Sequence, residues 1–168
     1  ASFTLMELIM VVTIMGIMLG SLIPNFRPLM EATVLRNTSD SLAYIIRYAR
    51  SVAIQRSVNT KLILPEEGNG DVLFSVEADP IQSAGTFTEE RLPVSPPKNL
   101  RDKVKVERIV QNTLSGMQQN SELTFDTRGT TSDTLIYLVD QRENVHTIGI
   151  VGLTGQVMVW NHEVETFY

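Results

Sequence analysis

The sequence predicts an α+β fold: one long N-terminal helix, apolar then amphipathic, packed on a small antiparallel β-sandwich-like head. Three observations predict it. From Phe3 to Ile23 there is a single charge, Glu7, in twenty-one residues. From Thr33 to Arg56 apolar residues recur at helical spacing. After Ser57 the periodicity changes to two. The organisation that follows is an apolar segment over 1–30, an amphipathic helix over 31–57 and a β-rich head over 58–168. Whole-chain averages hide this asymmetry. Of 33 charged residues, nearly all lie beyond Pro24.

The apolar run reads FTLMELIMVVTIMGIMLGSLI. As a helix it rises roughly 30 Å, enough to cross the hydrocarbon core of a bilayer. A cleavable secretory signal fits poorly, because the run has no basic residues before it and no small-residue cleavage site after it. The apolar pattern instead passes through Ile23, Phe26, Leu29 and Met30 into the amphipathic stretch. A plain membrane anchor would not carry Glu7, because a carboxylate in lipid costs a few kcal/mol or more unless paired. If Ala1 is the mature terminus, its α-amino group is the nearest cation in sequence. Six residues of helix set it roughly 9 Å from Glu7 along the axis, too far within one straight chain. A neighbouring copy displaced along the axis brings its own amine to Glu7. At about 4 Å and an effective dielectric near 20, that pair gains on the order of 4 kcal/mol before desolvation. One particular stagger between copies is thereby favoured.

Gly16, Gly20 and Pro24 all weaken the helix, by about 1 kcal/mol per Gly and about 3 for an interior Pro. Pro24 also disfavours helix at Ile23. A kinked or locally melted stretch is expected between Gly16 and Pro24 once the helix leaves lipid for a filament core, with Pro28 a second weak point. In the amphipathic stretch the apolar stripe is Leu35, Leu42, Ile45, Ile46, Ala49, Val52 and Ala53. Arg36, Asp40, Arg47, Arg50 and Arg56 are expected on the faces that meet solvent or neighbouring subunits. Arg47, Arg50 and Arg56 also favour the C-terminal end of the helix dipole.

Strands are expected over 60–64, 72–77, 86–92, 104–110, 122–126, 135–139, 146–151 and 156–160. Turn residues separate them: Glu66-Glu67-Gly68-Asn69-Gly70, Pro96-Pro97, Arg128-Gly129 and Leu153-Thr154-Gly155. Short strands at this spacing suggest a small sandwich or antiparallel sheets.

FTLMELIMVVTIMGIML followed by Pro24 resembles the N-terminus of type IV pilins and of type II secretion pseudopilins. Phe3, Glu7, Gly16 and Pro24 fall at the family's relative spacings. The family's mature chain opens at the Phe, whereas here Ala1 and Ser2 precede it. Tyr48-Ala49-Arg50-Ser51-Val52-Ala53-Ile54-Gln55-Arg56 is similar to a segment of the GspH/FimT branch of that family. So are Leu123-Thr124-Phe125-Asp126-Thr127-Arg128-Gly129 and Gly152-Leu153-Thr154-Gly155-Gln156-Val157. Residues 65–120 match nothing in the branch.

The resemblance implies a structural subunit of a pilus-like filament or secretion pseudopilus. It would be anchored in the bacterial inner membrane by a single pass, with a periplasmic head and a methylated N-terminus. Phe3, Glu7, Gly16, Gly20, Pro24 and the Ala1 amine would serve assembly. The implied partners are further copies, other pilins or pseudopilins, and the assembly machinery.

Other functions find less support. A net charge of −5 does not favour a nucleic-acid partner. The DNA-capturing minor pilins that this branch resembles use basic residues near the C-terminus, whereas Asn161 to Tyr168 holds two acids and no Lys or Arg. With no cysteine there is no disulfide, thiolate metal site or cysteine nucleophile. His146 and His162, the only histidines, lack metal-ligand spacing and are expected at the surface. Glu66, Glu67, Asn69 and Asp71 could offer oxygens to calcium, but without EF-hand spacing. Gly68-Asn69-Gly70 lacks the Lys and Ser/Thr of a phosphate loop and reads as a hairpin turn. Met6, Met10, Met15 and Met18 read as adaptable packing residues. A membrane-tethered binding protein is the alternative. An enzyme is disfavoured by the lack of a nucleophile–base arrangement, and no cofactor is expected.

Overall fold

The computed structural model describes residues 4–22, 27–65, 72–77, 85–93, 100, 103–113 and 116–165. The chain forms two compact units, Ala1–Thr33 and Val34–Tyr168. Helix α1 (Leu5–Leu22) lies in the first. Helix α2 (Arg27–Arg56) begins there and supplies most of its length to the second. Nine strands follow: β1 (Thr60–Ile63), β2 (Leu73–Glu77), β3 (Phe87–Glu89), β4 (Val104–Thr113), β5 (Gly116–Gln119), β6 (Glu122–Phe125), β7 (Asp133–Asp140), β8 (Val145–Val151) and β9 (Gln156–Trp160).

In the single chain α1 runs through Gly16 and Gly20 to Leu22. Pro24 and the rest of 23–26 lie outside the described residues. Pro28 sits in the first turn of α2, where a missing N–H removes no intrahelical bond. All seven residues of the expected stripe on α2 are buried. The helix ends in a Schellman motif. Ser57 takes the left-handed conformation (φ 53°), Ser57 N–H donates to the Ile54 carbonyl at 3.4 Å, and Val58 N–H donates to Ala53 at 3.2 Å.

The strands form two antiparallel sheets, β3-β2-β1-β6 and β5-β4-β7-β8-β9. One apolar cluster joins the α2 stripe with Leu62, Phe74 and Phe125 of the first sheet and Val106, Ile136 and Ile148 of the second. Strand β4 is longer than its periodicity suggests, because a bulge shifts its register between Val106 and Arg108. The bulge leaves both Glu107 and Arg108 exposed and returns Ile109 to the core. Strand β5 (GMQQ) has no apolar alternation and is not foreseen from sequence. Strand β3 is shorter than expected. The anticipated turns at 66–70 and 96–97, with the calcium candidates Glu66, Glu67, Asn69 and Asp71, fall outside the described residues.

Two of the arginines expected to face outward also bind the head: Arg47 is exposed as expected, whereas Arg50 is half-buried. Arg47 Nη2 donates to the Val157 carbonyl at 3.0 Å, and Arg50 Nε donates to the Gly129 carbonyl at 3.2 Å. The reason is chain geometry: the β6–β7 turn at Gly129 and the start of β9 at Val157 lie beside α2 and present carbonyls to it. Gly155 permits this contact. Its φ is +63°, and a Cβ there would lie 2.3 Å from Arg50 Nε and 2.4 Å from the Gly129 carbonyl oxygen. Arg56 does reach solvent, and its Nη1 donates to both carboxylate oxygens of Glu90 at 2.8 and 2.9 Å.

The C-terminal segment straps the outer face of the five-stranded sheet. Thr147 Oγ1 donates to the His162 carbonyl at 2.8 Å and accepts from Val164 N–H at 3.2 Å. Tyr137 Oη donates to the Val164 carbonyl at 2.7 Å. Arg108 lies over the Tyr137 ring at 4.2 Å and pairs with Glu163.

His162 is exposed as expected, but His146 is half-buried, which corrects its surface assignment. Its Nδ1 lies 3.2 Å from Ser39 Oγ on α2. The Ser39 hydroxyl also lies 2.9 Å from the Leu35 carbonyl. Burial holds the imidazole below the ordinary histidine value, with Arg36 adding to the effect while Asp40 and Asp140 oppose it. The folded state thus binds this proton less tightly than the unfolded chain. Stability from neutral His146 is therefore fully present above about pH 6.5 and lost as pH falls through the lower folded value. Asp126 and Asp140 titrate lower still. Burial raises both, but hydrogen bonds from Thr130 and Arg128, and from Asn144 and Arg142, outweigh it.

Between pH 7.5 and 5 the melting temperature of the full chain in detergent should fall, with a flatter profile for His146→Asn. Gly155→Ala should cost about 2 kcal/mol or more in thermal unfolding, from left-handed backbone strain plus the clash with Arg50 and Gly129.

Candidate assembly site

The residues singled out for assembly gather in the first unit. Ala1, Phe3 and Pro24 lie outside the described residues. Glu7, Gly16 and Gly20 are all on α1. Helix α1 forms because Leu and Met supply eight of its eighteen residues, outweighing two glycines and six β-branched positions.

Thr4 caps its start. Glu7 N–H donates to Thr4 Oγ1 at 3.4 Å, while Thr4 N–H and Oγ1 each donate to Glu7 Oε2 at 3.5 Å. This reciprocal pair is a capping box. It gives the carboxylate weak partners within its own chain. The contacts are long and between uncharged donors and the acid, and a good cap contributes only about 1 kcal/mol. Transfer of a carboxylate to lipid costs a few times that. The box lowers the cost of Glu7 without cancelling it. Among the described residues Glu7 makes no ion pair.

Around this one acid, twelve large apolar side chains from Leu5 to Leu19 are exposed, between 44% at Val11 and 82% at Met6. They cover every face of the helix, as in helices that reside in lipid or in the centre of a bundle. The one other hydroxyl within the exposed stretch, Thr13 Oγ1, is turned inward to the Ile9 carbonyl at 2.7 Å, so it makes little polar demand on its surroundings. Gly16 and Gly20, one turn apart, have nothing within 4 Å of where a Cβ would stand. No helix among the described residues is long and apolar enough to cross a membrane. The eighteen residues of α1 rise about 27 Å, a little under a typical hydrocarbon core. Phe3 and Ile23, the ends of the expected span, lie outside the described residues.

Elsewhere, no group of three His, Asp or Glu among the described residues could hold a metal ion. The Thr4–Glu7 box was legible as T-x-x-E ahead of an apolar run. The Arg50 contact was signalled only by an arginine and two distant turn glycines.

Neither protein-family models nor curated proteins match the sequence. Solved structures do match. The chain is similar to the type IV minor pilin FimU of Pseudomonas aeruginosa, with TM-score 0.52 and 14% identity over 79% of this chain and 92% of that one. It is also similar to the minor pseudopilin EpsH of the Vibrio cholerae type 2 secretion system, with TM-score 0.57 and 7% identity over 79% and 99%. The fold is the pilin fold. At such identities the pilin likeness speaks to architecture, an N-terminal helix laid on antiparallel sheets. The three segments quoted for the GspH/FimT resemblance meet in space in this pilin head: Arg50 on α2, Gly129 after β6 and Gly155 before β9.

Proposed function

We propose that this chain is a structural, non-enzymatic subunit of a type IV pilus-like filament or type II secretion pseudopilus. Before assembly α1 and its flanking residues anchor it in the bacterial inner membrane, with the head in the periplasm. On assembly α1 leaves lipid for the filament core and packs against α1 of neighbouring copies or related pilins. The observation that carries this reading is the apolar surface of α1. Leaving a dozen such side chains in water forgoes roughly 1.5–3 kcal/mol each, on the order of 20 kcal/mol or more. That exceeds the whole net stability of an ordinary domain, about 5–15 kcal/mol. The helix therefore needs lipid or other helices around it, and the pilin fold of the head supports the same reading.

Glu7 sets the stagger. In the separate subunit its carboxylate rests on Thr4. In the filament the N-terminal amine of an adjacent copy replaces that weak cap with a charge pair, and methylation of the amine would keep its charge. Phe3, Gly16, Gly20 and Pro24 complete the packing surface, the glycines by admitting close backbone approach.

Electron microscopy of cells expressing the full chain tests this. Glu7→Ala should reduce filament number about tenfold, the effect of losing a net ~1.4 kcal/mol at each addition. Filaments as abundant as wild type would contradict the role given to Glu7.

A further inference from the structure

Polar contacts tie α2 to the sheets unevenly along its length. Beyond Ile46 they include Arg47 to the Val157 carbonyl, Arg50 to the Gly129 carbonyl, and Thr60 Oγ1 of β1 to the Ala49 carbonyl at 3.1 Å. Between Val34 and Ile46 there is one among the described residues, Ser39 with His146 at the start of β8. Apolar packing of this stretch comes from Leu35, Leu42 and Ala43. The stretch opens where the second compact unit opens, at Val34.

The chemistry of the Ser39 contact fixes where protons sit. Ser39 is fully buried, and its hydroxyl has one hydrogen for two neighbours, the Leu35 carbonyl at 2.9 Å and His146 Nδ1 at 3.2 Å. Both are satisfied when the hydroxyl donates to the carbonyl and accepts from Nδ1–H. The neutral ring then keeps its free lone pair on Nε2. That nitrogen has no hydrogen-bond partner among the described residues, where no buried side-chain nitrogen or oxygen lacks one. Nε2 therefore borders solvent and is where an added proton arrives.

The imidazolium so formed has no anion free to take its charge. The acids acting on it are Asp40 from α2 and Asp140 from the end of β7, and the opposing cation is Arg36 from α2. Asp40 already lies 3.9 Å from Arg36 at the surface. Asp140 uses its oxygens within its own turn, accepting from Arg142 N–H at 2.8 Å, Asn144 N–H at 3.0 Å and Asn144 Nδ2 at 2.8 Å. A charged ring half-buried between helix and sheet is thus poorly compensated.

We propose that His146 is an acid-operated joint: protonation at Nε2 loosens residues 34–42 of α2 from the five-stranded sheet, while Arg47 and Arg50 keep the rest of the helix attached. Histidine is the side chain whose ordinary titration falls between pH 5 and 8. Local opening releases the ring to water, where it takes up its proton at about pH 6.5. The closed joint binds that proton less tightly, so the open form gains population as pH falls below this value. Arg47 and Arg50 hold their charge throughout, which confines the release to the stretch before them. The joint belongs to the head alone and does not depend on the filament reading.

Amide hydrogen exchange of the full chain in detergent, at pH 7.5 and 5.5 and corrected for the intrinsic effect of pH, tests this. In wild type, protection over 35–42 should fall about threefold or more beyond any fall over 45–53. In His146→Asn, whose amide still donates to Ser39 but takes up no proton, the two segments should fall together. Equal falls in the two segments of wild type, or the same local fall in His146→Asn, overturn the joint. Should His146→Asn not fold, Arg36→Gln decides, because it alters only an exposed side chain. Without that cation Asp40 faces the imidazolium, and the local fall should shrink about twofold. A local fall unchanged in Arg36→Gln overturns the joint.

Discussion

The constraint on which the proposed reading depends is the exposed apolar surface of α1. Its apolar side chains cover the whole circumference, so no rotation of the helix hides them against a single flat partner. Only a surrounding medium does, and lipid or a bundle of like helices are the two available. The head has the opposite character. Its core closes on itself between α2 and two sheets, and its chemistry is hydrogen-bonded turns and paired surface charges. One chain thus joins a unit with its own closed core to a helix whose apolar side chains are exposed. The division falls within α2, between Thr33 and Val34.

In the proposed filament Glu7 would give the apolar helix its direction. A uniformly oily helix could slide along its neighbours with little change in energy, whereas a carboxylate near one end makes one offset better than the rest. The Thr4–Glu7 cap changes the size of this term. The free subunit is not left with a bare acid, so the gain on assembly is the difference between a long, neutral cap and a charge pair. That difference is smaller than the gross Coulomb energy, and a reversible filament requires modest terms.

Much of this architecture was legible in the sequence because its periodicities are strong. The stripe from Leu35 to Ala53 repeats at helical spacing, and every member is buried. Gln156–Trp160 alternates cleanly and is β9 over that whole span. Features without a local signature were not legible. Strand β5 is Gly-Met-Gln-Gln and is held by its hairpin with β4, not by an apolar face. The bulge at Glu107 leaves no mark on composition. His146 reads as a surface residue until Ser39, 107 positions away, is placed against it. Arg50 reads as solvent-facing because its carbonyl partner, Gly129, belongs to a turn more than seventy residues on. Within the assembly site the positions of Glu7, Gly16 and Gly20 on one helix were legible, and the Thr4 cap was present in the spacing but masked by the attention a lone acid attracts.

The central claim is that α1 is never exposed to water in the working protein. With no native thiol in the chain, Met15→Cys reports on this directly through its reaction with a membrane-impermeant maleimide. The account predicts a protected cysteine both in isolated membranes and in filaments sheared from cells, and rapid labelling only after the filaments are dissolved in denaturant. Rapid labelling of intact filaments or membranes would contradict it.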